Sequence, residues 1–217
     1  VISGLINLFD AIDLLIEISN EVDKHTGWLC HGFDLKLTKD TFISSINFKE
    51  NDNINMTVCG LNGSYDDFIN QNPKAKKMHV SNPWHHDIYS NSKEIGLEVI
   101  KNQGSPKVEL YLPSKIGLVK NLEDNHWNNW LCQKCDMIKT INILKDNNID
   151  ETFNIIELGA HPVMEQMISS LNINKYVSSF NRNVDPFEFI IQNRKKICTN
   201  KLDKIIKEEC LLSLIHI

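Results

Sequence analysis

No apolar run in this chain of 217 residues approaches the roughly 20 residues that a bilayer-spanning helix requires. The start shows no charged region leading into an apolar core and a cleavage site, so no secretory leader is read there. Long runs of Lys or Arg are missing as well. Lys76-Lys77 and Lys195-Lys196 are isolated pairs in a chain of net charge -5, which argues against nucleic acid as the principal partner. Cysteine is too scattered, at positions 30, 59, 132, 135, 198 and 210, to form a disulfide framework, and these six residues read as reduced thiols. Gly-rich phosphate loops, G-x-S-x-G nucleophile elbows, internal repeats and low-complexity tracts are not found. These absences lead to the expectation of a cytoplasmic protein without a membrane or nucleic-acid partner. A leading Met is also missing, and the chain ends in the apolar string Leu211-Leu212-Ser213-Leu214-Ile215-His216-Ile217. We read both as marks of a piece cut from a longer protein, with 211–217 a foreign tail.

What is present is an alternation of helical and extended patterns. Leu8, Ala11, Ile12, Leu14, Leu15 and Ile18 recur at helical spacing over 7–22, with Asp10, Asp13, Glu17 and Glu21 between them. Residues 27–33 read as a short strand, 38–46 as an amphipathic helix, 53–60 as a strand by alternation, 64–70 as a helix opening on Ser64, and 77–80 as a returning strand. Beyond these, 90–102 reads as a helix and 108–112 as a strand. Residues 124–148 form a helical stretch interrupted near Cys132 and Cys135, followed by a strand at 153–159 and helices at 162–171 and 186–197. Strands alternating with helices imply an α/β fold with a mainly parallel sheet. The strand–helix–strand run at 46–84 has the proportions of a small α+β insert.

Three constellations could carry chemistry. The stretch His79-Val80-Ser81-Asn82-Pro83-Trp84-His85-His86-Asp87 reads as a strand end turning into a loop, where an imidazole serves either as a general base or as a surface histidine. Cys132-x-x-Cys135 with His126 is half of a zinc pattern; without a second pair, two thiols facing the core are the plainer reading. Glu157-Leu158-Gly159-Ala160-His161-Pro162 places a carboxylate and a histidine at the end of an expected strand, where ligand sites gather in open α/β sheets.

Taken in succession, these stretches resemble the acyltransferase domain of polyketide synthases and type I fatty acid synthases, the malonyl-CoA:acyl-carrier-protein transacylase family. Ser81-Asn82-Pro83-Trp84-His85-His86 is similar to the family's S-H-A-F-H-S segment, and Leu112-Pro113-Ser114-Lys115-Ile116-Gly117 resembles its P-x-x-S-N-x-x-G strand. His126-Trp127 falls where the family has Tyr-Trp, and Ile156 to Met164 resembles E-x-G-P-H-P-x-L. Upstream, Ile54 to Gly60 resembles V-x-V-S-G, and residues 1–22 resemble the helix that follows the nucleophile. The resemblance implies a hydrolase-like, mainly parallel core at 1–45 and 85–177, a ferredoxin-like α+β insert at 46–84 and a post-domain linker at 178–210. It implies acyl transfer from coenzyme A, through a serine ester, to the phosphopantetheine thiol of an acyl carrier protein, with no permanently bound cofactor and with other synthase domains as neighbours. It makes His85 the catalytic base, and Ile18, Trp84 and His161 the substrate-side residues. The turn at Gly159 to His161 is the candidate for fixing the tautomer of His85.

Departures from the pattern set the limits. The resemblance places the serine elbow just ahead of Val1, so this piece alone is expected not to turn over. Family members that take carboxylated acyl groups carry an Arg where our alignment puts Ile18. Either the acyl group is not carboxylated or the register is off by a turn. Lys115 replaces Asn, Ala160 replaces Pro, and Pro83-Trp84 replaces Ala-Phe. These departures keep a second reading open, a non-catalytic scaffold or docking domain, beside a third, a zinc module built on His126, Cys132 and Cys135.

Overall fold

The computed structural model describes residues 5–146, apart from 93, 108, 109 and 116, and then 155–157, 164–169, 176–178, 181, 183–185, 188 and 189. The chain divides into two compact units, Val1–Asn148 and Ile149–Ile217.

The first unit opens with helix α1, Leu8–Val22, whose start is set by Asn7: its side-chain oxygen accepts from the Asp10 amide at 2.9 Å. Leu14, Ile18 and Val22, one turn apart, are buried against Tyr89, Ile95, Val99 and Leu131. Each such side chain contributes roughly 1.5–3 kcal/mol by leaving water. The wider face expected from the sequence is not all covered. Leu8, Ile12 and Leu15 remain exposed, and so do Phe9 and Ile16.

Strands β1 (Gly27–Phe33), β2 (Thr41–Glu50) and β3 (Asn53–Leu61) come next, then helix α2 (Tyr65–Gln71) and the short strand β4 (Lys76–Lys77). Helix α3 (Leu97–Lys101), strands β5 (Leu110–Leu112) and β6 (Gly117–Val119), helix α4 (His126–Cys132), strand β7 (Cys135–Asp136) and helix α5 (Met137–Asp146) complete the unit. A five-stranded sheet runs in the order β4-β1-β3-β2-β7, and β5 pairs with β6 separately. A second core lies between this sheet and α2, where Trp28, Cys30, Val58 and Phe68 are wholly buried. The Trp28 and Phe68 rings meet at 4.6 Å, and the indole N–H donates to the Leu61 carbonyl at 2.9 Å. Gly60 sits opposite Trp28; a Cβ there would come within 2.6 Å of the indole ring.

Several expectations are corrected here. Of the segment read as a helix at 38–46, residues 41–46 form the first half of β2 and 38–40 are a turn leading into it. Its Thr41, Phe42, Ile43 and Ile46 are β-branched or aromatic, and pairing along β3 outweighs an apolar spacing that also fits a helix. The described strands are also mostly antiparallel: β1 with β3, β1 with β4, β2 with β3, and β5 with β6, against the parallel pair β2–β7 and, in the second unit, Ile155–Glu157 with Tyr176–Ser178. The reason is a two-residue connection. Asn51 and Asp52 both take positive φ, 47° and 68°, the geometry of a type I′ hairpin turn, and so tight a turn can join antiparallel strands only. The antiparallel sheet therefore begins at Gly27, ahead of the boundary at 46 expected for the small insert. Helix 90–102 is likewise shorter than expected, with a 3-10 turn at Asp87–Asn91 and α3 at Leu97–Lys101.

In the second unit, strand β8 (Ile155–Glu157) pairs in parallel with β9 (Tyr176–Ser178), and helix α6 spans Glu165–Ser169. The expected linker at 178–210, the helix at 186–197 and the tail at 211–217 lie almost wholly outside the described residues.

Candidate active site

The loop that carries His85 is fastened at both ends by the first unit. Asn82 donates through its side-chain amide to the Val22 and His25 carbonyls, each at 3.1 Å, which ties the loop to the end of α1. The Ser81 carbonyl accepts from the Gly27 amide at 2.8 Å, and Pro83 is fully buried. Gly27 makes that burial possible, because a Cβ there would stand 2.4 Å from the Gly60 carbonyl and 2.9 Å from the Pro83 ring. His85 itself has φ of 60°, in the left-handed region that few non-glycine residues adopt. Cys59 supports the turn from β3 by donating its thiol to the His85 carbonyl at 3.8 Å.

This backbone aims the His85 ring at the end of α4 and the start of β7. Nδ1 lies 2.7 Å from the Trp130 carbonyl, which accepts only, so Nδ1 carries the proton and Nε2 keeps its lone pair. Nε2 faces Cys135 Sγ at 3.5 Å. The Trp130 indole packs edge-on to the imidazole at 5.1 Å and to Trp84 at 5.9 Å. Burial pulls the His85 pKa below the ordinary 6.5, with the Trp130 and Gln133 carbonyls pulling weakly the other way. Burial likewise pushes the Cys135 thiol up. At neutral pH the pair therefore rests as S–H donating to a neutral imidazole.

Cys135 is held from two sides. Ser45 of β2 pairs in parallel with it, Ile46 pairs with Asp136, and the Asp136 amide donates to the Pro113 carbonyl at 2.9 Å. Irregularities in β2 fall between Ile43 and Ser45 and between Ile46 and Phe48, on either side of those two residues. Bulges of this kind re-aim a strand locally and gather beside active sites. Asp136 then accepts from the Lys139 amide at 3.0 Å, as an N-cap residue does, and starts α5.

The residues expected to join His85 fare differently. Trp84 is half-buried and packs near the site through Trp130. Ile18 is only 4% exposed and sits in the apolar cluster of α1, so it has little surface to offer a substrate. His161 and the turn from Gly159 lie outside the described residues; the partner seen at Nδ1 is a main-chain carbonyl of α4. Glu157, in the second unit, accepts from the Tyr176 hydroxyl and, through Oε2 at 3.1 Å, from the Met164 amide, which fastens β9 and the entry to α6. His126, buried at 5% exposure, stacks edge-on with Trp127 at 4.6 Å. Among the described residues no group of three or more His, Cys, Asp or Glu side chains is gathered to hold a metal. No described helix is long and apolar enough to cross a membrane. The contacts that motif reading did not foresee are those of His85 with the Trp130 carbonyl and with Cys135, which the sequence had placed only in a partial zinc pattern. The first partner is backbone, and the second reaches His85 only because β2 is a strand.

No family model and no curated protein matches the sequence. Solved structures do match. The acyltransferase domain from the second module of the salinomycin polyketide synthase superposes with a TM-score of 0.71 at 13% identity, over 88% of this chain and 48% of that one. A loading acyltransferase from the avermectin modular polyketide synthase gives 0.72 at 12% identity, over 89% of this chain and 67% of that one. Malonyl-CoA:acyl carrier protein transacylase from Helicobacter pylori gives 0.64 at 11% identity, over 84% and 63%. The chain thus spans about half to two thirds of the structures it matches. Its fold is the mixed α/β fold of polyketide synthase acyltransferase domains and malonyl-CoA:acyl carrier protein transacylases.

Proposed function

We propose that this chain is part of an acyltransferase that moves an acyl group from coenzyme A to the phosphopantetheine thiol of an acyl carrier protein, by way of a serine ester. The observation that carries the reading is the His85 imidazole, with its proton pinned on Nδ1 by the Trp130 carbonyl and its Nε2 lone pair directed inward, on the fold of known transacylases. A neutral imidazole so oriented takes the proton of an attacking hydroxyl and returns it to the departing thiol, work worth about 10²–10⁴-fold. In this reading the serine belongs to a G-x-S-x-G turn ahead of Val1, and extension of the protein upstream tests for it. A carrier protein as partner is supported by a related structure in which a malonyl-transacylase is bound to its type II polyketide synthase acyl-carrier protein.

The acyl group we infer bears no free carboxylate. Ile18 offers no cation, and a one-turn slip in register changes nothing, because α1 from Leu8 to Val22 has neither Lys nor Arg. The deciding experiment is acyl loading from labelled coenzyme A thioesters by the protein extended upstream of Val1. We expect an ester-linked label on a serine in a G-x-S-x-G turn, greater for acetyl than for malonyl donors, and lost in His85→Ala. An extended protein without that turn, or one loaded equally well without His85, overturns the proposal. An intact turn that forms no acyl-enzyme with any thioester supports the scaffold reading instead.

A further inference from the structure

Of the four described cysteines, Cys30 and Cys59 are wholly buried in the sheet, and burial pushes the Cys59 thiol to about 12. Thiols sealed from solvent in this way are inert; burial also raises the less enclosed Cys132 and Cys135 thiols, so both rest protonated and need a base to react. Cys132 and Cys135 are each half-buried, yet only Cys135 meets an imidazole, at 3.5 Å from His85 Nε2. The imidazole is in turn oriented by an acceptor, the Trp130 carbonyl at 2.7 Å. Nucleophile, base and orienting group in series are the signature of a side chain built for covalent attack. The surrounding structure fixes this geometry: the left-handed backbone at His85, the parallel pairing of Cys135 with Ser45, and the bulges flanking Ser45 and Ile46.

We propose that Cys135 is an acyl-accepting nucleophile served by His85, taking acyl groups from thioesters as a new thioester on Sγ. The choice of thioester as substrate rests on the proposed function; the nucleophile does not. Sγ attacks the thioester carbonyl while its proton passes to His85 Nε2. The tetrahedral adduct collapses by breaking the bond to the departing sulfur, and the imidazolium hands that sulfur the proton. One carbon–sulfur bond forms and one breaks, the product is again a thioester, and no oxidant or reductant is needed. The nearly even exchange makes the step reversible, so Cys135 can hold an acyl group and release it to an incoming thiol.

The test is to incubate the full chain with labelled acetyl-coenzyme A and map the label by mass spectrometry, with and without neutral hydroxylamine, which cleaves thioesters and spares oxygen esters. We expect hydroxylamine-labile acetyl on Cys135, none on Cys132, loss in Cys135→Ala, and acylation slowed by about 10²-fold or more in His85→Gln. Because His85→Gln could unfold the loop, the unaltered protein supplies a second readout. Alkylation by iodoacetamide should favour Cys135 over Cys132, and that preference should collapse on acidification as His85 gains a proton. Equal labelling of both cysteines, or labelling of Cys135 at an unchanged rate in a folded His85→Gln protein, overturns the proposal. A hydroxylamine-resistant ester elsewhere with Cys135 bare overturns it too, and leaves the proposed serine route standing. No label on any residue of the chain extended upstream of Val1 overturns both.

Discussion

At the scale of single residues, the site depends on keeping imidazoles uncharged. Burial holds His85, His86 and His126 below the ordinary 6.5. As pH falls through 6.5, the unfolded chain takes up protons that the folded chain refuses. Stability is therefore fully present above that value and lost below it. We expect the urea midpoint to drop between about pH 7.5 and pH 5.5, and the drop to shrink in His86→Gln; a flat profile would contradict the assignment. In the proposed acyl transfer the acid limb of kcat/KM should by the same logic lie below pH 6.5, since burial keeps His85 unprotonated to lower pH than a free histidine. Because the orienting group is the Trp130 carbonyl, replacing that side chain should cost far less than replacing His85. Trp130→Leu removes the edge-on ring contact, worth about 0.5–1.5 kcal/mol, and should slow acyl loading by roughly 10-fold at most. His85 was legible in the sequence as a candidate base through its Pro83-Trp84-His85-His86 setting. Its orienting carbonyl was not, because every residue type carries one.

At the scale of elements, the β2–β3 hairpin matters most, since β2 carries the pairing that positions Cys135. Asn51-Asp52 turns the chain with both residues at positive φ, a conformation that suits glycine better than aspartate. Asp52→Gly should raise stability by about 0.5–1 kcal/mol, read as an increase in melting temperature, despite the loss of an exposed ion pair to Lys49. Gly60→Ala should act in the opposite sense, by about 1–3 kcal/mol, because the new methyl would press on the buried Trp28 ring. Helix α1 could be read from its spacing, and the helix break near Cys132 and Cys135 from the interrupted pattern there. The strand at Thr41–Glu50 was misread because Phe42, Ile43 and Ile46 fit a helical stripe almost as well as a pleat. The Asn-Asp pair was the turn signal that could have decided it.

At the scale of the whole molecule, α1 leaves an unusual surface. Leu8, Phe9, Ile12, Leu15 and Ile16 are between 45% and 78% exposed on one helix of a chain that spans 48–67% of the structures it matches, an apolar face that drives association while nothing covers it. Phe9→Glu combined with Leu15→Lys should reduce concentration-dependent self-association in sedimentation without lowering the melting temperature, because neither side chain contributes to the core of Leu14, Ile18 and Val22. If the double variant melts earlier, the face is packed in solution. Sequence pattern named the fold's composition of helices and strands, and the succession of motifs pointed to the transacylase fold. The sense of strand pairing was beyond it, since alternating elements suggest parallel crossovers until a two-residue turn is recognised between Glu50 and Asn53. The join of Ser45 to Cys135 and Ile46 to Asp136 is only two residues long. Slow deuterium uptake at the amides of that seam and slow chemistry at the neighbouring sulfur should then rise together under mild denaturant, as two clocks driven by one local opening.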